Sequence, residues 1–157
     1  QKLGTSPKTI LHGLSLGAST VLNTAAVVRP PSVIGVISDS AFSDLRAQFS
    51  RQITSIFRLP AFPLIDLGNL WCKLRLGFMY REGSPITHSA KITVPVLLIH
   101  GDIDRFVPTE MSDDLFKTLN CPKKLVHYPD AAHALNYARH PQAYQDELER
   151  FLNTLPL

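Results

Sequence analysis

At 157 residues, with 45% hydrophobic and 18% charged residues, the chain has the make-up of an ordinary globular domain long enough to bury a core. Pro60, Asp66 and Lys73 interrupt its most apolar region, which leaves no run of about 18 apolar residues for a membrane span. The net charge of +3 is mild, and the six basic residues between Ala41 and Glu82 are spaced like the solvated side of amphipathic helices. A nucleic-acid surface needs a denser basic stripe with stacking aromatics, so no nucleic-acid partner is expected. Cys72 and Cys121 lack metal-ligand spacing and read as free thiols, so no metal is expected either. No signal-peptide pattern opens the chain, and the favoured compartment is the cytoplasm.

In chain order, Thr9–His12 is a short apolar run that ends in a glycine-serine turn, and Leu16–Val28 has helical composition. "RPPS" at Arg29–Ser32 breaks the chain. The β-branched run Val33–Ile37 reads as a buried strand, as does Val94–His100, and Lys124–Tyr128 makes a fourth strand. A helix is expected around Glu110–Leu119. Another follows Pro141, with Tyr144, Leu148, Phe151, Leu152 and Leu155 on one face. Strands alternating with helices predict an α/β fold with a parallel sheet. The interval from about 41 to 90 has no convincing strand. Phe42, Leu45, Phe49, Ile53, Ile56 and Phe57, then Leu64, Leu67, Trp71 and Leu74, fall at helical spacing and predict a helical lid inserted in a single domain, 1–157.

The stretch "ILHGLSLGAST" puts Gly13-Leu14-Ser15-Leu16-Gly17 where a strand hands over to a helix. Gly-x-Ser-x-Gly in that context is a nucleophile elbow: the turn is tight, and a side chain at Gly13 or Gly17 is expected to collide with neighbouring elements. Ser15 then projects from the carboxyl edge of the sheet beside the positive end of a helix. A serine nucleophile needs a base and a carboxylate to orient it. "LLIHGDIDRFVP" places Asp104 just beyond one strand, and "YPDAAHALNY" places His133 just beyond the next. Asp39 and Asp102 are rival acids, Asp39 because it also follows a strand and Asp102 as a residue that structures its turn. His127 and His140 read as packed or surface histidines, while His12 and His100 end strands and bond locally.

The motifs "HGLSLG", "HGDIDRFVP" and "DAAHALNY" resemble those of the α/β-hydrolase superfamily. "GAST", "LPAFPL" and "REGSPI" are similar to uncharacterised bacterial serine hydrolases of esterase-like or peptidase-like type. The resemblance implies a cofactor-independent serine hydrolase in which Ser15 attacks an acyl carbonyl, His133 shuttles the proton and Asp104 orients the imidazole. It also implies that the Leu16 amide supplies one oxyanion donor. The expected substrate is a small carboxylic ester or thioester, bound by the lid's phenylalanines and Trp71 unless these only pack the lid onto the sheet. A peptidase-like activity is the alternative.

Members of the superfamily place strands before the elbow, and this chain reaches it by residue 13. The expectation is therefore a carboxyl-terminal half, with the other oxyanion donor supplied upstream. The strand Thr9–His12 would be an exposed edge, covered by the missing half or by a second copy. Alone, such a chain would be a weak enzyme or a binding module, since one lost oxyanion donor costs about 10²–10³ in turnover.

Overall fold

The computed structural model describes residues 7–156, so the first six residues and the last of the expected domain lie outside it. Four parallel strands form one sheet in the order β1 (Thr9–Leu14), β2 (Val33–Asp39), β3 (Val96–Gly101) and β4 (Lys123–Tyr128). The crossovers carry α1 (Leu16–Asn23), which runs on into a wider turn over Thr24–Val28, then α2 (Leu45–Ser55), α3 (Ala61–Leu76) and α4 (Glu110–Thr118). After β4 come a short α5 (Asn136–Arg139) and α6 (Pro141–Leu152), with Pro141 in the first turn, where its missing N–H costs nothing.

Both faces of the central strands β2 and β3 are buried, which is why these read as near-continuous apolar runs, while the edge strands β1 and β4 are partly exposed. Val96 and Leu98 face a core built from Ala18, Leu22, Leu115 and Leu119 of α1 and α4 and their flanks. Leu97 and Ile99 point the other way, to Tyr144, Phe151 and Leu155 on and just past α6. Every strand predicted from the sequence is present, with ends no more than two residues from those expected. Among the described residues β1 pairs only with β2, so β1 and β4 are the sheet's two edges.

The interval expected to form a lid holds the helices α2 and α3, and the second is turned differently from the expectation. α2 is capped by Asp44, whose Oδ1 accepts the Ala47 amide at 2.6 Å, and α3 ends at Gly77 in the left-handed region (φ 82°). α3 docks through Ile65, Gly68, Asn69 and Cys72. A Cβ on Gly68 would lie 2.7 Å from the Tyr80 hydroxyl, so the glycine permits that approach, and Asn69 Oδ1 accepts the Tyr80 amide at 2.7 Å. The stripe Leu67, Leu70, Trp71 and Leu74 lies opposite and is 54–71% exposed. The expectation that Trp71 lines a pocket or packs the lid onto the sheet is thus corrected: small residues, not large ones, let the helix approach closely. Phe49 and Phe57 do line a cleft of about 310 Å³ between α2 and α3.

Trp71 is the single tryptophan of the chain and is 63% exposed, with Arg75 stacked over its ring. Its fluorescence should peak near that of a solvated indole and be quenched efficiently by acrylamide. A blue-shifted, quencher-protected emission would place the ring in a pocket instead.

Candidate active site

The β1–α1 junction is built around one close approach. A Cβ at Gly13 would sit 2.2 Å from the Gly17 carbonyl oxygen and 2.6 Å from the Ala18 amide nitrogen, so only glycine fits there. A Cβ at Gly17 would meet nothing within 4 Å, which corrects the reading that both glycines relieve collisions: Gly17 supplies the obstacle and Gly13 avoids it. Between them Ser15 has φ 54° and ψ −117°, a strained conformation for a residue with a side chain. Its amide donates to the Asp39 carbonyl at 2.8 Å, extending the β1–β2 ladder into the turn. α1 starts at Leu16, whose N–H is one of the helix's first four amides and has no acceptor within the helix.

The structure brings Ser15, His133 and Asp104 together. Ser15 Oγ lies 2.8 Å from His133 Nε2, and His133 Nδ1 lies 2.6 Å from Asp104 Oδ2. An ionised carboxylate only accepts, so Nδ1 carries the proton and Nε2 is left to accept from the serine hydroxyl. The His133 side chain is 22% exposed and that of Asp104 is fully buried. Asp104 Oδ1 accepts the amides of Phe106 and Val107, each at 2.8 Å. Burial alone would raise the carboxyl's pKa. The hydrogen bonds from His100, His133 and the Val107 amide outweigh it and hold the group well below the ordinary carboxylate range.

His100, read from the sequence as bonding locally, is part of this arrangement. It is completely buried, with Nε2 3.0 Å from the Val107 carbonyl and 3.3 Å from Asp104 Oδ2. Because the Val107 carbonyl only accepts, Nε2 bears the proton, and Nδ1 accepts from Ser112 Oγ at 2.5 Å. Phe106 covers the His133 ring, with centroids 4.8 Å apart, and Gln48 of α2 ties the lid to this loop by donating to the Phe106 carbonyl. Nothing in the sequence pattern marks His100 or Ser112 as neighbours of the acid.

The rivals are otherwise engaged. Asp102 accepts from His127, which also lies 3.3 Å from Asp113. His140 pairs with Asp130 and stacks on Tyr128. His12 Nε2 is 3.4 Å from the Tyr144 hydroxyl. Asp39 is 2% exposed and its carboxylate accepts from Ser40, Asn136 and Tyr144 rather than from His133.

With this geometry in hand, the family model described as serine aminopeptidase, S33, matches residues 50–138, more than half of the chain. The chain belongs to the serine aminopeptidase S33 family. The match begins inside α2 and takes in α3, Asp104 and His133, while Ser15 lies before it. The uncharacterized protein YqkD of Bacillus subtilis is 30% identical over 145 residues, covering 92% of this chain and 48% of that protein. The uncharacterized protein YfhR of Escherichia coli is 24% identical, covering 91% and 44%. An esterase of Pyrococcus furiosus shares the fold, with a TM-score of 0.68 at 20% identity over 95% of this chain and 54% of its own. The acylaminoacyl peptidase of Pyrococcus horikoshii does so with a TM-score of 0.68 at 19% identity, over 94% of this chain and 25% of its own. The chain spans about half the length of the curated relatives it matches over nearly its whole extent.

Three outcomes follow from this geometry. Gly13→Ala should lose about 2–4 kcal/mol in denaturant unfolding, because backbone must move. Gly17→Ala should be neutral or up to about 1 kcal/mol stabilising. Asp104→Asn should cost about 2–4 kcal/mol near neutral pH by leaving buried donors without their charged acceptor. Since the folded-state pKa of Asp104 lies below the unfolded value of about 3.9, that difference is fully present above pH ~5. It should shrink as acid protonates the wild-type carboxylate, which paired melts across pH would read.

Proposed function

We propose that this chain carries the nucleophile, base and acid of a serine hydrolase that cleaves carboxylic esters or thioesters through an acyl-enzyme. The observation that carries the reading is the continuous chain of hydrogen bonds from Ser15 Oγ through His133 to buried Asp104. His133 Nε2 takes the Ser15 proton as Oγ attacks the acyl carbonyl, and returns it to the leaving oxygen or sulfur as the tetrahedral species collapses. Asp104 holds the ring in the Nδ1–H tautomer and stabilises the imidazolium formed in between. Water then repeats the sequence on the acyl-enzyme. The Leu16 amide, at the positive end of α1, donates to the developing oxyanion.

Apolar groups flank the reacting serine: Leu14 and Leu16 are largely exposed on either side of it, and Phe106 lies on the imidazole. They favour an acyl group without charge. The lid's acids are all engaged, Asp44 as a helix cap, Asp66 with Arg46, and Glu82 on the Met79 amide. None of them is placed to hold a substrate's free amine, which weighs against a free-amine peptidase. An acylated peptide carries no such amine and is the second reading, favoured by the fold shared with an acylaminoacyl peptidase. The half-length match to relatives supports a further proposal: an upstream segment, or else a second copy, covers the unpaired side of β1, and an upstream segment would add the other oxyanion donor.

A fluorophosphonate probe should label Ser15 stoichiometrically by intact mass and peptide mapping, with labelling absent from Ser15→Ala and at least 10²-fold slower in His133→Ala. No labelling of the folded chain would overturn the reading for this chain. Hydrolysis of a panel of acyl esters and acyl-amino-acid anilides would then separate the two substrate classes.

A further inference from the structure

Three of the five non-glycine residues with positive φ among the described residues, Ser15, Ser40 and Ala134, meet at the same place. Such strain persists only where the surroundings over-determine the backbone. What surrounds it here is a buried polar network centred on Asp39. The Asp39 carbonyl accepts the Ser15 amide at 2.8 Å, so its main chain grips the elbow. Its Oδ1 accepts from Asn136 Nδ2 at 2.6 Å and from Ser40 Oγ at 2.9 Å, and its Oδ2 accepts from the Tyr144 hydroxyl at 2.9 Å. Ser40 Oγ in turn lies 3.3 Å from the Ala134 amide and from Asn136 Nδ2. Asn136 is wholly buried, three residues past His133. Burial and the Asp39 charge push the Tyr144 hydroxyl's pKa well up, so it acts as a neutral donor.

We infer that Asp39 is a positioning residue that sets the distance between nucleophile and base, through its backbone to Ser15 and through Asn136 and Ser40 to the loop bearing His133. This rests on the hydrolase reading and extends it to residues that touch neither substrate nor reacting atoms. A carboxylate suits the task because it is the one side chain that can accept from three converging donors. Its two oxygens face opposite elements: Oδ1 the histidine loop, Oδ2 the terminal helix. Asp104 orients the ring of His133, and Asp39 fixes where the loop stands.

The test compares Asn136→Ala and Ser40→Ala with Leu148→Ala, a half-buried core residue of α6 outside the network. Fluorophosphonate labelling rates are measured with the proton resonance of the His133–Asp104 hydrogen bond, assigned by its loss in His133→Ala. Asn136→Ala should label at least ~10-fold more slowly and shift or broaden that resonance, and Ser40→Ala should do so more weakly. Leu148→Ala, studied well below its melting temperature, should keep both. If Asn136→Ala does not fold, Ser40→Ala decides alone. Equal rates and an unmoved resonance in the network variants would overturn the inference, as would an equal effect in Leu148→Ala. A wild-type chain that does not label would sink the hydrolase reading instead. The resonance would still decide whether the network places His133.

Discussion

The site rests on three backbone hydrogen bonds made just beyond the ends of the strands. Ser15 donates to the Asp39 carbonyl, Ser40 to that of Ile99, and Asp102 to that of Tyr128, at 2.8–2.9 Å. Each joins the residue leaving one parallel strand to its neighbour, and in this register β3 and β4 run two residues past the level at which β1 and β2 end. The serine, the Asp39–Ser40 pair, the acid loop and the histidine loop are therefore delivered to a single edge by the sheet itself. Slipping any one strand by a residue would invert its buried faces, so register and site geometry are protected by the same core.

On that frame the electrostatics divide between two buried carboxylates with different duties. Asp104 collects the Phe106 and Val107 amides together with His100 and His133, and this set keeps it ionised despite its burial. A neutral acid there would present its own proton to Nδ1 and spoil the tautomer that leaves Nε2 ready to accept from serine. Asp39 collects only uncharged donors and contacts no reacting group. Its value is geometric. Removing either leaves donors unpaired in a dry setting, where the loss is felt far more than at the surface.

Much of this was legible in the sequence because the relevant signals are local. The strands announce themselves as short apolar runs bounded by turn residues, and Ser15, Asp104 and His133 each follow a strand end within a few residues. The Asp39–Asn136–Tyr144 contacts were not legible. They join residues about a hundred positions apart, and neither Asn136 nor Tyr144 breaks a pattern: one opens a single-turn helix, the other sits on an apolar helix face. The lid's orientation was hidden for another reason. α3 is apolar on opposite sides, so its period identified a helix correctly while the larger residues drew the inward assignment to the wrong face. Packing follows fit, and Gly68 against Tyr80 is the closer fit.

The loops leaving the four strands hold the whole of the proposed proton-transfer path, whereas among the described residues the proposal assigns a single amide, that of Leu16, to the oxyanion. These two contributions are separable in principle: the first governs how readily Ser15 Oγ becomes a nucleophile, and the second how far the tetrahedral species is lowered. A reagent that carries a strong leaving group on phosphorus draws mainly on the first. Ester turnover draws on both, twice per cycle, since acylation and deacylation each pass through an oxyanion. A chain organised in this way should therefore react with such a reagent more readily, relative to a complete hydrolase, than it turns over esters. The gap between the two should close when a segment bearing a further amide donor docks along β1.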